Sequence, residues 1–355
     1  EIRLSLVGSE MCIRDRLYVV KVVDNSNKYT YNVMAAPINF EYANNPATLK
    51  NAELAVKRSE TRLTKTVNDT DGAVHNGQTV TYTINVKVPS IDPTATNKLF
   101  KVTDALTGAE YKKDTVVVKL GDNEINIAPT FDATNSFELD LSSLIDDTNS
   151  NAGKDVTITY DVLVTSENDK VTNTANVSRT GSENYSSDSV DLYEGAITLT
   201  KTNDYEKESD KKLLAGAGFN VLDKDGNVLK FVDKGNNNYV LAKDQTVTTG
   251  VVTEVVTGAN GQLVVKGLDK GKYQFKEVTA PEGYSINETN SSATLTITGD
   301  KATAEFTADA DMRDTEVGAL PETGGIGTTI FTVGGCAIMV AAAALFFMNK
   351  KKHEK

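Results

Sequence analysis

The pentapeptide Leu320-Pro321-Glu322-Thr323-Gly324 stands just before an apolar run from Ile326 to Met348, which ends in Asn349-Lys350-Lys351-Lys352. A helix of about 20 apolar residues crosses a bilayer core, so the run is long enough to span one. The lysines hold the tail on the cytoplasmic side, following the excess of positive charge on inner segments. The pentapeptide is thereby left just outside the membrane. Pro321 stiffens it in an extended form that can lie along an enzyme groove, with the Thr323 carbonyl open to a nucleophile. A plain membrane anchor would use the span and the lysines but leave the pentapeptide without a purpose.

Other reactive side chains are scarce. The cysteines are Cys12 and Cys336, both in segments set apart from the folded body, which therefore has no thiol, disulfide or cysteine metal site. The histidines are His75, in a turn-like stretch, and His353, in the tail. A histidine-dependent triad and a zinc centre are excluded on that count. The net charge of −12 argues against a nucleic-acid partner, which needs a basic face to neutralise phosphates. Asp223-Lys224-Asp225-Gly226-Asn227 has the opening of a calcium loop, but its glycine comes early and no glutamate closes the twelfth position. It reads as a hairpin turn, as does Asn68-Asp69-Thr70-Asp71-Gly72. No metal or other cofactor is expected.

The elements that position the chemistry are strands. Threonine and valine suit half-buried pleated surfaces, and Asn, Asp and Gly suit the turns between them. Thr61-Arg62-Leu63-Thr64-Lys65-Thr66-Val67 is echoed by Ala196-Ile197-Thr198-Leu199-Thr200-Lys201-Thr202, and each phrase opens a long segment of short alternating runs. Asp71-Gly72, Asn76-Gly77, Asp225-Gly226 and Asn260-Gly261 mark tight turns. The expectation is an all-β chain of tandem Ig-like β-sandwich domains followed by a C-terminal transmembrane helix. The domains are drawn at 59–193 and 194–316, with a sorting segment at 317–355. Residues 17–58 read as the remnant of a truncated earlier domain. Residues 1–16 are set aside, because the string from Leu4 to Arg16 resembles a translated sequencing-adapter fragment, neither signal peptide nor strand. The true N-terminus and its secretion signal would then be missing. The alternative is a native edge strand.

The C-terminal arrangement resembles the cell-wall sorting signal of Gram-positive surface proteins. That resemblance implies a sortase whose thiolate attacks the Thr323 carbonyl, with Gly324 leaving on the membrane helix and a second amine resolving the acyl-enzyme. Thr79-Val80-Thr81-Tyr82-Thr83-Ile84-Asn85-Val86, Leu99-Phe100-Lys101-Val102-Thr103-Asp104 and Val171-Thr172-Asn173-Thr174-Ala175-Asn176-Val177 together resemble the isopeptide-forming middle domain of fimbrial proteins. Tyr273-Gln274-Phe275-Lys276-Glu277-Val278-Thr279-Ala280-Pro281-Glu282-Gly283-Tyr284 resembles the E-box of collagen-adhesin B-type domains. The order of parts, over residues 59–355, looks like that of a major or backbone pilin.

In these families a buried lysine condenses with an Asn or Asp, assisted by an acid. The resemblance implies Lys65 with Asn173 and Asp104 as proton shuttle, losing ammonia, and Lys201 with Asp314 and Glu277 as shuttle, losing water. Each bond would tie the first strand of its domain to the last. Strand alternation tests the placement: Leu63, Lys65 and Val67 share a face, as do Phe100, Val102 and Asp104, and Val171, Asn173, Ala175 and Val177. The second-domain sets are Ile197, Leu199 and Lys201; Tyr273, Phe275 and Glu277; and Phe306, Ala308, Ala310, Met312 and Asp314. All six polar residues fall in phase with apolar neighbours, whereas Asn176 falls on the other face. Burial favours the neutral, nucleophilic amine and the protonated carboxyl that can donate to the carbonyl under attack. The B-type pattern commonly has asparagine where Asp314 stands. The same phase also suits a buried ion-pair cluster without covalent closure.

Backbone pilins carry a Tyr-Pro-Lys-Asn type motif before the middle domain. Lys57, in Leu54-Ala55-Val56-Lys57-Arg58, holds a comparable place without the tyrosine and proline, and also reads as a solvated surface lysine. The expected function is a structural pilus subunit, not an enzyme, with amide formation a single-turnover maturation step. Its partners would be sortase, a peptidoglycan precursor or other pilin subunits, the membrane before sorting, and host extracellular matrix in some settings. Its place would be the cell wall or a pilus on the surface. The alternative is an unpolymerised wall-anchored adhesin that uses these domains as a stalk.

Overall fold

The computed structural model describes residues 62–91, 95–165, 170–180, 182–296 and 306–317, with backbone strands in 2–60 and helical residues at 335–336 and 338–343. Lys57, the pentapeptide 320–324 and most of the apolar run lie outside the described residues. Among the described residues no helix is long and apolar enough to cross a membrane. Ile338, Met339 and Val340, within the helical stretch, are all exposed.

Near the N-terminus, Ile2–Leu6 pairs antiparallel with Arg16–Val22, which pairs in turn with Met34–Ile38. The expectation that residues 4–16 hold no strand is therefore corrected for Leu4–Leu6. The alternation of Ile2, Leu4 and Leu6 with polar residues suits the edge position that this strand takes.

The first sandwich is built from β1 (Thr64–Val67), β2 (Thr79–Lys87), β3 (Phe100–Thr107), β4 (Ala109–Tyr111), β5 (Val117–Leu120), β6 (Asn123–Glu124), β7 (Thr130–Phe131), β8 (Ser136–Asp140), β9 (Asp155–Val164), β10 (Lys170–Arg179) and β11 (Ser182–Tyr193). One sheet runs β6-β5-β9-β2-β1, with β4 also on β9, and the facing sheet runs β7-β8-β3-β10-β11. The strands are combs of alternating residues. Val80, Tyr82, Ile84 and Val86 of β2 point inward while Thr79, Thr81, Thr83 and Asn85 do not. Burying one face of every strand against the opposite sheet is what holds the layers together.

The second sandwich contains β12 (Gly195–Asn203), β13 (Gly218–Leu222), β14 (Phe231–Asp233), β15 (Asn238–Leu241), β16 (Glu254–Val256), β17 (Gln262–Leu268), β18 (Gly271–Thr279), β19 (Ser291–Leu295) and β20 (Thr307–Asp314). Its sheets run β14-β15-β17-β12-β20 and β16-β13-β18-β19. The first and last strands, β12 and β20, lie side by side and parallel.

The loop between β1 and β2 joins the two sandwiches. Val74 is buried in the first core and the adjacent Ala73 in the second. The Asn76 N–H donates to the Gly267 carbonyl at 3.0 Å. Its buried side-chain amide donates to the Leu241 carbonyl at 2.6 Å. Asp71 pairs with Lys270 at 2.5 Å. Gly77 has φ +87°, and a Cβ there would sit 2.0 Å from the Lys243 carbonyl oxygen, so only glycine fits the joint.

Candidate functional site

Each core carries one lysine in an otherwise apolar comb. In the first domain β1 presents Lys65, β3 presents Asp104 between Val102 and Leu106, and β10 presents Asn173 between Val171 and Ala175. Strands β3 and β10 are neighbours, with Asp104 opposite Ala175 and Leu106 opposite Asn173, so the acid and the amide lie on one inner face. Lys65 reaches them from the other sheet. All three are buried. The half-buried Asn176 lies on the opposite face of β10.

Lys65 Nζ donates to Asp104 Oδ2 and to the Tyr160 hydroxyl, the latter at 2.5 Å. The Tyr160 hydroxyl donates to Asp104 Oδ1 at 2.7 Å and accepts from Asn173 Nδ2 at 3.1 Å. Tyr111 adds a second phenol on Asp104 Oδ1 at 2.8 Å. Lysine and asparagine thus meet on a tyrosine hydroxyl that the sequence reading did not single out. Its signal was the phase of Tyr160 with Ile158 and Val162 on β9, which could as well have marked an ordinary core aromatic. The Tyr82 and Tyr160 rings lie 5.0 Å and 5.2 Å from the ammonium, so cation–π attraction offsets part of its desolvation. Burial nevertheless holds the Lys65 pKa below the ordinary lysine value, against the opposing pull of Asp104. Burial also raises the Tyr160 phenol, and the neighbouring Asp104 raises it further, so the hydroxyl keeps its proton.

In the second domain Lys201 of β12 lies opposite Met312 of the parallel β20, and Asp314 is the next inward residue along. Lys201 Nζ donates to Asp314 Oδ1, and Glu277 Oε1 of β18 lies 3.0 Å away on the facing sheet. All three side chains are shut off from solvent. The other Glu277 oxygen accepts from the Asn287 N–H at 2.7 Å. Burial raises the Glu277 carboxyl above the usual range, opposed by that N–H and by Lys201. Asp314 Oδ2 accepts no hydrogen bond, and the Phe219 ring lies 5.6 Å from the ammonium.

One expectation needs correcting. Asn173 sits on the last strand but one of its domain, because β11 follows and folds back beside β10. Strand β11 then reaches β1, where Asp188 accepts the Lys65 N–H at 2.9 Å and Ser186 accepts the Leu63 N–H at 3.2 Å.

Fold and site define a tandem β-sandwich protein with a lysine–acid–carboxyl-derivative centre buried in each domain. Residues 195–311 match the SpaA prealbumin-like fold domain, and residues 314–355 match the LPXTG cell wall anchor motif. Fimbrial subunit type 1 of Actinomyces viscosus is 26% identical over 335 residues, covering 78% of this chain. The chain spans 62% of that relative's length. Among solved structures, a backbone pilin of Streptococcus pyogenes superposes with TM-score 0.61 at 17% identity, covering 86% of this chain and 82% of that one. The full-length major pilin SpaD of Corynebacterium diphtheriae gives TM-score 0.52 at 21% identity, covering 86% and 77%. The chain thus carries a SpaA prealbumin-like domain and an LPXTG cell wall anchor motif, on a fold similar to that of these solved pilins.

Proposed function

We propose that this chain is a structural subunit of a surface pilus, fixed by a sortase at Thr323 and closed in each domain by one intramolecular amide. The observation that carries the covalent reading is Lys201, a fully buried amine held between Asp314 and a Glu277 carboxyl whose pKa burial raises. The neutral Lys201 Nζ attacks Cγ of the Asp314 carboxyl while Glu277 donates to the developing oxyanion. Nζ gives one proton back through Glu277, one Cγ–O bond breaks, and that oxygen leaves as water. In the first domain Lys65 Nζ attacks Asn173 Cγ, and ammonia leaves. Strand pairing holds the reactants at an effective concentration far above that of free solutes. The amides serve where other secreted proteins use disulfides, without needing an oxidising compartment. The protein turns over no substrate.

Intact-mass measurement of the chain tests the chemistry. The expected product is lighter than its translated sequence by one ammonia and one water, and an unaltered mass rejects both bonds. A blot of wall extracts tests assembly. A ladder of high-mass species that survives boiling in detergent is expected, with Lys57 the first lysine to substitute. A single band favours the unpolymerised adhesin, and a host-matrix ligand then becomes the next thing to seek.

A further inference from the structure

The acid expected to shuttle protons in the first domain does not touch the group that leaves. Asp104 is occupied on Oδ2 by Lys65 and on Oδ1 by Tyr111 and Tyr160. The partner of the Asn173 carboxamide nitrogen is Tyr160, and Asn173 Oδ1 is buried without any hydrogen bond. A hydroxyl has one proton to give and two lone pairs. Tyr160 uses all three, on Asp104, Lys65 and Asn173.

We propose that Tyr160 is a catalytic residue of the first-domain condensation, its hydroxyl passing to Asn173 Nδ2 the proton that this nitrogen needs in order to depart. The inference rests on the covalent reading given above. The neutral amine of Lys65 carries two hydrogens. As the Nζ–Cγ bond forms, one must leave. As the Cγ–Nδ2 bond breaks, the departing amide nitrogen must gain one to become ammonia. In the tetrahedral intermediate Nδ2 is no longer an amide and turns basic, so it takes the Tyr160 proton. The phenol is refilled from Nζ, directly or through Asp104, which touches both. Tyr160 and Asp104 end as they began, and one ammonia is released. Among the described residues no hydroxyl bridges Lys201 and Asp314 in the second domain, and there a carboxyl lies directly against the lysine.

The test follows the full chain by intact mass over time after cell-free synthesis, so that loss of water in the second domain serves as an internal clock. In Tyr160→Phe, water loss is expected to keep its wild-type pace while ammonia loss slows at least ~100-fold, the low end of general acid–base effects. Tyr111→Phe removes the other phenol from Asp104 but leaves the contact with Asn173, and should stay within a few-fold of wild type. The proposal is overturned if Tyr160→Phe matches wild type, or if Tyr111→Phe is equally slow. Should Tyr160→Phe fail to fold, Tyr160→3-fluorotyrosine preserves the shape and alters only the acidity of the phenol. A changed rate of ammonia loss supports the relay, and an unchanged one refutes it. If wild type itself keeps its ammonia, as Lys65→Ala must, the covalent reading of this domain fails, which is a different result from failure of the relay alone.

Discussion

Lys201 and Asp314 stand two register positions apart on adjacent parallel strands, since Lys201 is opposite Met312 and Asn203 is opposite Asp314. Side chains two apart share a face, so the lysine and the acid meet diagonally across one sheet and not across the sandwich.

The nature of the acceptor at position 314 gives a sharp check. An amide made from aspartate by loss of water is the same group as one made from asparagine by loss of ammonia. Mature Asp314→Asn is therefore expected to have the same mass as mature wild type, although its translated chain differs. Asp314→Ala should keep its water and lose only the ammonia of the first domain. It should also lose about 5 kcal/mol of stability, judged from the chain entropy of closing a loop of about 100 residues. Intact mass and denaturant unfolding would decide both.

In the proposed condensation Glu277 acts through its proton, and Glu277→Gln keeps the size but removes the acid. Water loss should slow by about 100-fold or more, with ammonia loss in the first domain unaffected. Because the folded pKa of Glu277 is raised, the donor form is full at low pH and is lost as pH rises through that raised value. In the time course, donation by Glu277 should fade in that direction. A rate that is equal in Glu277→Gln and wild type would remove Glu277 from the mechanism.

Lys65 has the opposite dependence. Its folded pKa lies below the ordinary lysine value, so the folded state releases a proton that the unfolded chain still holds. Ammonia loss should accelerate as pH rises through the lowered value. In an Asn173→Ala background, where no bond can form, burying the charged amine costs stability in full below that value. The cost should shrink as pH climbs toward the ordinary lysine range. Comparing Asn173→Ala with Lys65→Met/Asn173→Ala isolates the effect, because their difference in unfolding free energy should narrow with rising pH.

The joint between the sandwiches can be broken without touching either centre. Asn76→Ala leaves the Leu241 carbonyl buried without its donor, at about 1–3 kcal/mol. Gly77→Ala puts a methyl group into the Lys243 backbone. Both variants should still lose ammonia and water, while the chain becomes open to proteolysis near residue 194 and scatters X-rays as a longer, more variable particle. An unchanged scattering profile would show that the joint does not depend on these two residues.

Much of this was legible in the chain because a strand reports its own facing. Lys65, Asp104 and Glu277 each sit in a comb of apolar residues, and a period of two suffices to send them inward. Tyr160 and Tyr111 were not legible as partners. Strand β9 enters the site only after pairing with β2, and nothing in Thr159-Tyr160-Asp161 distinguishes a working hydroxyl from a core ring. Asn76-Gly77 was legible as a turn but not as a joint, since its partners Leu241, Lys243 and Gly267 lie in the other domain. The strand at Ile2–Leu6 was legible only as the alternative reading, because the resemblance of residues 4–16 to an adapter fragment competes with their alternation.

The parallel pairing of β12 and β20 decides how a pull on the ends would travel. The chain enters the second domain at Gly195, the opposite end of the sheet from Asp314, and leaves just beyond Asp314. Once Lys201 and Asp314 are joined, tension runs along a single strand, crosses one amide and exits. The rest of the sandwich is then a passenger that bears no weight. Stretching such a domain means straining covalent bonds, so it has almost no slack to give.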